Sequence, residues 1–230
     1  SALSEMEAIM GDDQKLIDDI TEAAQTFSPR FIAIAGTPIP MMIGTDFQAI
    51  ARVVEQQTQI PTFGFSTNGM HSYLMGASKA FCAIADRFAV QKLPRTDKLS
   101  VNLLGLTPLD FSVNSSVDSL KKLLAEHEIS LVSSWAMGSS LDEMQKASAA
   151  HVNLVVSYSG LAAAKLLQKR FGTPYVVGLP VGESFAKEWI RSIEKAARTE
   201  EPLICGTRRK DTARPEIVII GESVSAGSLA

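Results

Sequence analysis

The stretch VNLVVSYSGLAAAKLLQKRFGTPYVV, residues 152–177, contains one complete unit of an α/β sheet. It starts with an apolar, β-branched run at residues 152–156 and continues with a helical pattern rich in alanine and leucine at 159–170. A second apolar run follows at 175–177. Short strands that alternate with longer helices are typical of a parallel sheet covered by helices on both faces. The stretch therefore predicts a βαβ unit.

The same alternation extends outward through most of the chain. Further strands are predicted at residues 31–35, 62–65, 99–104, 129–133 and 217–220. Further helices are predicted at residues 13–27, 46–57, 70–90, 117–127, 141–149 and 184–198. Capping boxes are expected at the pairs Thr45 and Gln48, Ser115 and Asp118, and Ser140 and Glu143. The expected fold class is α/β, with Rossmann-like three-layer domains and mainly parallel sheets.

Two charged stretches, 91–98 and 206–214, interrupt the pattern and are interpreted as connections between domains. We expect a first Rossmann-like domain over residues 1–95 and a second over 96–212. Residues 213–230 would supply a strand and a helix start that open a third unit or complete the first. Because the chain starts with Ser1 and stops soon after a helix starts at Ser223, it is interpreted as a segment of a longer protein.

Composition excludes several classes of function. A net charge of -3 and a pI near 5.7 argue against a nucleic-acid partner, which needs a concentrated positive field. The two cysteines, Cys82 and Cys205, have no CxxC partner and cannot by themselves supply the thiolates of an iron–sulfur cluster or a disulfide framework. They favour a reducing, cytoplasmic location. No apolar run reaches the length of a membrane span, so no membrane association is expected.

Ligands of open α/β sheets bind beyond the carboxyl ends of the strands, so the loops there are the candidate sites. The loop at 35–46 leads into a helix whose N-terminus at Thr45 could favour an anion, but simple capping of the helix by Thr45 and Asp46 is the favoured interpretation. The loop at 65–71 ends at His71, which could relay a proton or be an ordinary surface residue.

A third loop places hydroxyl groups directly after the strand at 152–156. Ser157 and Tyr158 could face a ligand, whereas capping of the next helix by Ser157 or Ser159 is the alternative. The glycines at 221–227 lack the spacing of a dinucleotide-binding loop, and no P-loop, HExxH or GxSxG motif is present. Hydrolase and kinase chemistry is therefore unsupported, and catalytic residues are not identified.

Several stretches, in order, resemble the component 1 family of nitrogenases, which includes cofactor-assembly scaffolds and dark-operative protochlorophyllide reductases. Residues 38–46 resemble the family's first turn into a helix, and residues 101–110 resemble the start of its second domain. Residues 153–158 and 171–175 are similar to a later strand and loop, and residues 3–11 to the run-in to the first helix. The resemblance implies Rossmann-like domains around a cleft and paired subunits.

Two departures from the family pattern limit the chemistry that the resemblance implies. Pro38, preceded by Thr37, stands where the first turn usually has a cluster-ligating cysteine, and Ser157 stands where a cysteine of the catalytic subunit holds the active-site cofactor. Neither residue provides a thiolate. Nitrogen reduction is not expected, no metal ligand is assigned, and an iron–sulfur cluster or metallocofactor would need ligands from outside this segment.

The resemblance implies a redox component that receives electrons from an ATP-dependent iron protein reductase and works with a related component 1 subunit in an oligomer. A substrate, such as a tetrapyrrole, or a metallocofactor would bind in an interdomain cleft. The alternatives are a non-catalytic cofactor carrier or scaffold subunit, and a metal-chelate-binding protein. The residues expected to bind the cofactor or substrate are Thr37, Pro38, Ser66, Asn68, His71, Ser157 and Tyr158.

Overall fold

The computed structural model describes residues 12–112, 114–206 and 218–229. Contacts within the chain divide it into two compact units, Ser1–Gly76 and Ala77–Ala230. In each unit, all described strands are parallel and helices connect them. The predicted α/β class with mainly parallel sheets is confirmed.

The first unit is built on two parallel strands. Its elements are α1 (Asp13–Phe27), β1 (Ile32–Ala35), α2 (Pro38–Met42), α3 (Phe47–Thr58), β2 (Thr62–Phe65) and the start of α4 (Tyr73–Phe88). Ile32 pairs with Thr62, and Ala35 with Phe65. A Cβ atom at Gly64 would lie 2.0 Å from the carbonyl oxygen of Phe47, so only glycine lets α3 pack this closely on β2.

The second unit contains a five-stranded parallel sheet in the order β4-β3-β5-β6-β7. Its strands are β3 (Ser100–Leu104), β4 (Ser130–Ser134), β5 (Val152–Val155), β6 (Tyr175–Val177) and β7 (Leu203–Ile204). Its helices are α5 (Pro108–Phe111), α6 (Asn114–Glu126), α7 (Leu141–Gln145), α8 (Leu161–Phe171), α9 (Gly182–Thr199) and α10 (Ser223–Leu229). Short 3-10 turns lie at Ala147–Ala149 and Tyr158–Gly160.

Both faces of the five-stranded sheet are covered. Leu103 and Leu154 belong to one buried cluster, which packs against Trp189 of α9 and also contains residues of α6. The adjacent residues Leu104 and Val155 belong to a second cluster with residues of α4 and α8. Because successive side chains of a strand point to opposite faces, the two clusters form the layers of a helix–sheet–helix sandwich.

A chain of buried polar side chains crosses the middle of this sheet. Asn102 Nδ2 donates hydrogen bonds to Asn153 Oδ1 and to the carbonyl oxygen of Ala147, both at 2.8 Å. Ser133 Oγ donates to Asn102 Oδ1 at 2.6 Å, and Trp135 Nε1 donates to Ser133 Oγ at 2.9 Å. Each group is satisfied by a partner on another strand or loop, so the network fixes the register of β4, β3 and β5.

Of the three capping boxes predicted at helix N-termini, one is confirmed and two are wrong. The capping box of Ser140 and Glu143 is confirmed at the start of α7. The prediction at Thr45 is wrong, because Asp46 is the N-cap and its carboxylate accepts from the next backbone N–H groups. The prediction at Ser115 is also wrong: α6 begins at Asn114, so Ser115 lies inside the helix.

The strand predicted at 217–220 is wrong over its described part. Val218, Ile219 and Ile220 are not part of a strand and are 75%, 40% and 92% exposed, and none of the described strands pairs with them. Residue 217, most of the connector 206–214 and the run-in at 3–11 lie outside the described residues. The predicted helix at 141–149 divides into α7 and a 3-10 turn. The domain boundaries at 95 and 212 stay a prediction.

Among the described residues, no helix combines the length and the apolar character needed to cross a bilayer. The longest helix of the second unit, α9, is amphipathic: it buries Trp189, Ile190 and Ile193 and exposes charged residues on its other side. It therefore behaves as a covering helix of the sheet.

Candidate functional site

Hydroxyl groups and one carboxylate meet at the carboxyl ends of β3 and β5. Ser157 Oγ donates a hydrogen bond to Asp110 Oδ2 at 2.8 Å, and Thr107 Oγ1 donates to the same oxygen at 3.0 Å. The hydroxyls of Ser157 and Ser159 lie 3.1 Å apart, and both residues are fully buried. Gly105, at φ +91°, leaves room for this turn, because its Cβ atom would lie 2.7 Å from the carbonyl oxygen of Ser157. The Ser157 hydroxyl thus makes its hydrogen bonds within the protein and stabilises this turn.

A cavity of about 760 Å³ opens next to this cluster, at the carboxyl ends of β5, β6 and β7. Its volume lies within the range of small-molecule sites, roughly 300 to 1,000 Å³. The residues that define its character are Tyr158, Leu161, Val177, Phe185, Glu188 and Cys205. Its position is the one where open α/β sheets bind ligands.

Helix α10 forms one wall of the cavity and is anchored at two points. The carboxylate of Glu222 accepts hydrogen bonds from the backbone N–H of Tyr158 at 2.8 Å and of Val224 at 3.0 Å. Ser228 Oγ accepts a hydrogen bond from the backbone N–H of Leu179 at 2.9 Å. A helix of this length needs such tertiary contacts, because it is too short to be stable alone.

Two ionisable side chains, Glu188 and Cys205, lie on the opposite wall. Glu188 Oε1 accepts a hydrogen bond from the backbone N–H of Gly206 at 3.2 Å. Burial raises the pKa of the Cys205 thiol, a hydrogen bond with Ser192 lowers it, and the nearby Glu188 carboxylate raises it again. The thiol is therefore protonated at neutral pH and is a poor nucleophile or metal ligand.

In the first unit, the loops that follow β1 and β2 lie side by side. Thr67 Oγ1 donates to the carbonyl oxygen of Gly36 at 2.8 Å, and the Gly36 N–H donates to Phe65 O at 3.1 Å. A Cβ atom at Gly69 would lie 3.6 Å from Pro38 Cγ. The two loops thus bring the predicted residues of the first unit to one edge of its sheet.

The predicted site residues differ in how accessible they are. Thr37, Pro38, Ser66 and His71 are exposed, whereas Asn68 is buried and its Oδ1 accepts a hydrogen bond from the Met70 N–H at 3.0 Å. In the second unit, Tyr158 is 44% exposed and lines the cavity, whereas Ser157 is buried and caps the 3-10 turn. The amide groups at the start of α3 are bound by the Asp46 carboxylate rather than left for an anion.

The positions that match the family's cluster ligands do not fit a cluster in this segment. Pro38 has no donor atom in its side chain, and the Ser157 hydroxyl is buried and donates to Asp110. Within the described part of the chain, no three His, Cys, Asp or Glu side chains come together as a metal site would require. No chemical step is therefore assigned to a metal held by these residues.

The pattern of the sequence did not reveal the cavity wall opposite Tyr158. Phe185 and Glu188 are three residues apart on α9 and so share one helix face, a signal that the amphipathic pattern of α9 carries. Cys205 follows β7, which has only two residues and is not among the strand ranges predicted above. The short helices α2 and α5 were missed for the same reason, their lack of a full periodic pattern.

Comparisons with known proteins agree on one family. The family model described as "Nitrogenase component 1 type Oxidoreductase" matches residues 1–222. A light-independent protochlorophyllide reductase subunit of Chlorobium phaeobacteroides (strain BS1) is 33% identical over 120 residues, 51% of this chain and 22% of that protein. The corresponding reductase subunit of Leptolyngbya boryana is 26% identical over 200 residues, 83% of this chain and 39% of that protein.

A solved structure, nitrogenase Cp1 at pH 6.5, is similar in fold, with a TM-score of 0.73 at 22% identity over 86% of this chain and 38% of that one. The chain thus spans between about a fifth and two fifths of the length of the two curated relatives. The family match extends through both units and nearly the whole sequence. The chain belongs to the nitrogenase component 1 type oxidoreductase family.

Proposed function

We propose that this chain is part of a component 1-like oxidoreductase subunit that accepts electrons from an ATP-dependent iron protein reductase and binds a substrate or metallocofactor in an interdomain cleft. The family match over residues 1–222 supports the oxidoreductase class. The names of the curated relatives favour a tetrapyrrole substrate. A related component 1 subunit is the proposed partner, in a cytoplasmic oligomer.

The proposed binding of a substrate or metallocofactor is supported by the cavity at the carboxyl ends of β5, β6 and β7. Tyr158 is the predicted residue that we expect to contact the ligand, because its side chain is accessible at this cavity. Ser157 acts through the turn that carries Tyr158, since its own hydroxyl is bound to Asp110. Thr37, Pro38, Ser66, Asn68 and His71 are the proposed ligand-binding residues of the first unit.

Electron transfer in this proposal does not pass through a cluster held by this segment. Any iron–sulfur cluster or metallocofactor takes its ligands from outside the segment or from the partner subunit, because the residues at the matching positions do not fit one. The role of this chain is then to bind and orient the substrate and to exclude water from it.

The test uses the full-length protein together with the iron protein reductase and a related subunit. With MgATP, dithionite and protochlorophyllide, the proposal expects a product spectrum that requires both ATP and the reductase. An iron and acid-labile sulfide assay on the same preparation measures the cluster content. A complex that contains clusters but reduces no tetrapyrrole would overturn the substrate assignment.

A carrier or scaffold subunit is the second candidate function. The observation that favours it is the absence of a thiolate at Pro38 and Ser157, the two matching positions of the family's cluster and cofactor ligands. A carrier would purify with a bound pigment or metallocofactor and would show no ATP-dependent turnover. That result, obtained with active reductase from a control reaction, would replace the redox proposal.

A further inference from the structure

We propose that residues 91–98, which connect α4 to β3, form a strap that opens as the pH falls, with Arg95 as its clasp and His151 as the group that takes up the proton. The strap lies wholly within the second unit, at the amino ends of β3 and β5. Its opening needs no reductase, partner subunit or metal cluster. The inference therefore goes beyond the proposed function and is tested separately from it.

The strap is bound to the 3-10 turn that precedes β5. The Leu93 N–H donates to Ser148 Oγ at 3.0 Å, and the Ser148 hydroxyl donates to the carbonyl oxygen of Gln91 at 2.7 Å. The Thr96 N–H donates to the carbonyl oxygen of Ala149 at 3.2 Å. The strap belongs to no helix or strand, so its stability depends on these few contacts.

The Arg95 guanidinium fastens the middle of the strap. Its Nη1 atom lies 3.1 Å from the carbonyl oxygen of Ser148 and 2.9 Å from Thr173 Oγ1, and it also contacts the carbonyl oxygen of Ala150. Ser148 and Thr173 are buried. One cation therefore joins the strap to the turn before β5 and to the loop before β6.

His151 lies beside this clasp, directly before β5. Its Nδ1 atom accepts a hydrogen bond from the Ser100 N–H at 3.2 Å, and the Ser100 hydroxyl lies 3.1 Å from the same atom. The Ser100 hydroxyl also contacts the hydroxyl of Thr96 on the strap. Protonation at Nδ1 turns an acceptor into a donor, so the Ser100 N–H then loses its partner.

The charges around His151 act in the same direction. Burial lowers the pKa of His151, and the positive charge of Arg95 lowers it further. Burial lowers the pKa of Arg95 and Glu200, which follows α9, raises it, and an arginine stays charged at neutral and acidic pH. The other charged residues of the strap are exposed to water: Lys92, Asp97 and Lys98.

The sign of the pH effect follows from these contacts. The closed strap favours neutral His151, whereas the opened strap lets the imidazole take up a proton in water. The opened state therefore binds the proton more tightly than the closed state. Opening is favoured as the pH falls through the ordinary histidine pKa of about 6.5.

Amide hydrogen exchange of the 230-residue chain, resolved by NMR at pH 7.5 and pH 5, tests the strap. Gly178, whose N–H donates to the carbonyl oxygen of Val155 at 3.1 Å, reports on opening of the sheet. At pH 5 the amides of Leu93 and Thr96 should be at least about tenfold less protected than that of Gly178, a difference of about 1.4 kcal/mol, and insensitive to dilute urea. Strap amides with the exchange rate and urea dependence of Gly178 would overturn the proposal, since they would open only with the whole sheet.

Three variants identify the groups responsible. His151→Gln keeps an oxygen that can accept from the Ser100 N–H, so between pH 7.5 and pH 5 the two strap amides should lose about tenfold less protection than in the native chain. Arg95→Gln should speed their exchange at both pH values, because the guanidinium clasp is gone. Lys92→Gln, which removes an exposed charge from the same strap, should leave their exchange unchanged. An equal loss of protection in the native chain and in His151→Gln would contradict the proposal.

Discussion

Arg170 on α8 donates a hydrogen bond from Nη1 to the backbone carbonyl of Asp86 at 3.0 Å, and its Nη2 pairs with the Asp86 carboxylate. The same Nη1 atom lies within hydrogen-bonding distance of the carbonyls of Ala85 and Ala89, at 3.1 and 3.0 Å. The Asp86 and Ala89 carbonyls lie at the end of α4, where intrahelical donors run out, and the Ala85 carbonyl also accepts from the Ala89 N–H at 3.1 Å. One guanidinium therefore caps α4 and joins it to α8.

Replacement of Arg170 by Ala should lower the free energy of unfolding by about 1 to 3 kcal/mol, because it removes the side-chain donor of the Asp86 and Ala89 carbonyls at the helix end. Asp86→Asn should cost at most about 1 kcal/mol, because the carboxylate is 67% exposed and water screens the ion pair. Urea unfolding of both variants measures the difference. If Asp86→Asn costs as much as Arg170→Ala, the ion pair and not the carbonyl cap holds the helices.

The buried hydrogen-bonded pair of Asn102 and Asn153 should contribute more to the free energy of unfolding than a surface contact does. Asn102→Ala should destabilise the chain by about 3 kcal/mol, because it leaves the buried Asn153 Oδ1 without its donor and the buried Ser133 O–H without its acceptor. Asn153→Ala should cost a similar amount, and the double variant less than the sum of the two, by about 1 kcal/mol. Ser130→Ala, an exposed change on β4, is the control and should stay within about 0.5 kcal/mol.

Additive losses in this cycle would mean that each asparagine is held by packing alone. The register of β3 against β5, with Asn102 opposite Asn153, would then have another cause. Hydrogen exchange of the amides of β3 and β5 distinguishes the two cases, since loss of the network should speed exchange in these strands more than in β7.

His151 should make the stability of the chain depend on pH. Its Nδ1 atom accepts a hydrogen bond from the Ser100 N–H at 3.2 Å, so the bonded form is unprotonated at this atom. Burial lowers the pKa of His151, and the nearby positive charge of Arg95 lowers it further. The unfolded chain therefore binds more protons than the folded one, so the stabilisation is present above the ordinary histidine pKa of about 6.5 and is lost as the pH falls.

The urea midpoint should thus fall more between pH 7.5 and pH 5 for the native chain than for His151→Gln, whose amide oxygen can accept from the Ser100 N–H at either pH. Other acid-labile groups contribute equally to both proteins and cancel in the comparison. If the native chain and His151→Gln lose equal stability between these two pH values, His151 is not the cause of the pH dependence.

Much of the fold could be predicted because the apolar period is a local property of the sequence. The run at Tyr175–Val177 and the pattern of Asp13–Phe27 are found with the bounds expected. The run at 217–220 has the same composition as a strand, yet its described residues have no neighbour to pair with. Pairing is a tertiary property that an apolar period does not encode.

The candidate site shows the same division between local and tertiary information. Tyr158 follows a clear strand, so its loop could be identified from position alone. The buried Ser157, its neighbour, donates its hydroxyl to Asp110 of α5, a tertiary contact that no local pattern indicates. Glu188 joins the cavity only because α9 packs beside β5 and β6.

Ser157 provides a direct test of whether this position can hold a cluster ligand. Its hydroxyl is fully buried and bound to Asp110, so Ser157→Ala should destabilise the chain by about 1 to 2 kcal/mol. Ser157→Cys restores the thiol that the family pattern has here, but sulfur is larger and a weaker hydrogen-bond donor. The cysteine variant should therefore lose similar stability.

The cysteine variant should also bind no iron after anaerobic reconstitution with iron and sulfide, because no described group of three ligands surrounds the position and Pro38 offers no donor. Iron content by colorimetric assay, with visible absorption, measures this against the native chain treated in the same way. A stable Ser157→Cys protein with stoichiometric iron and a cluster spectrum would show that the buried turn can open to a metal, and the assignment of Ser157 as a positioning residue would then fail.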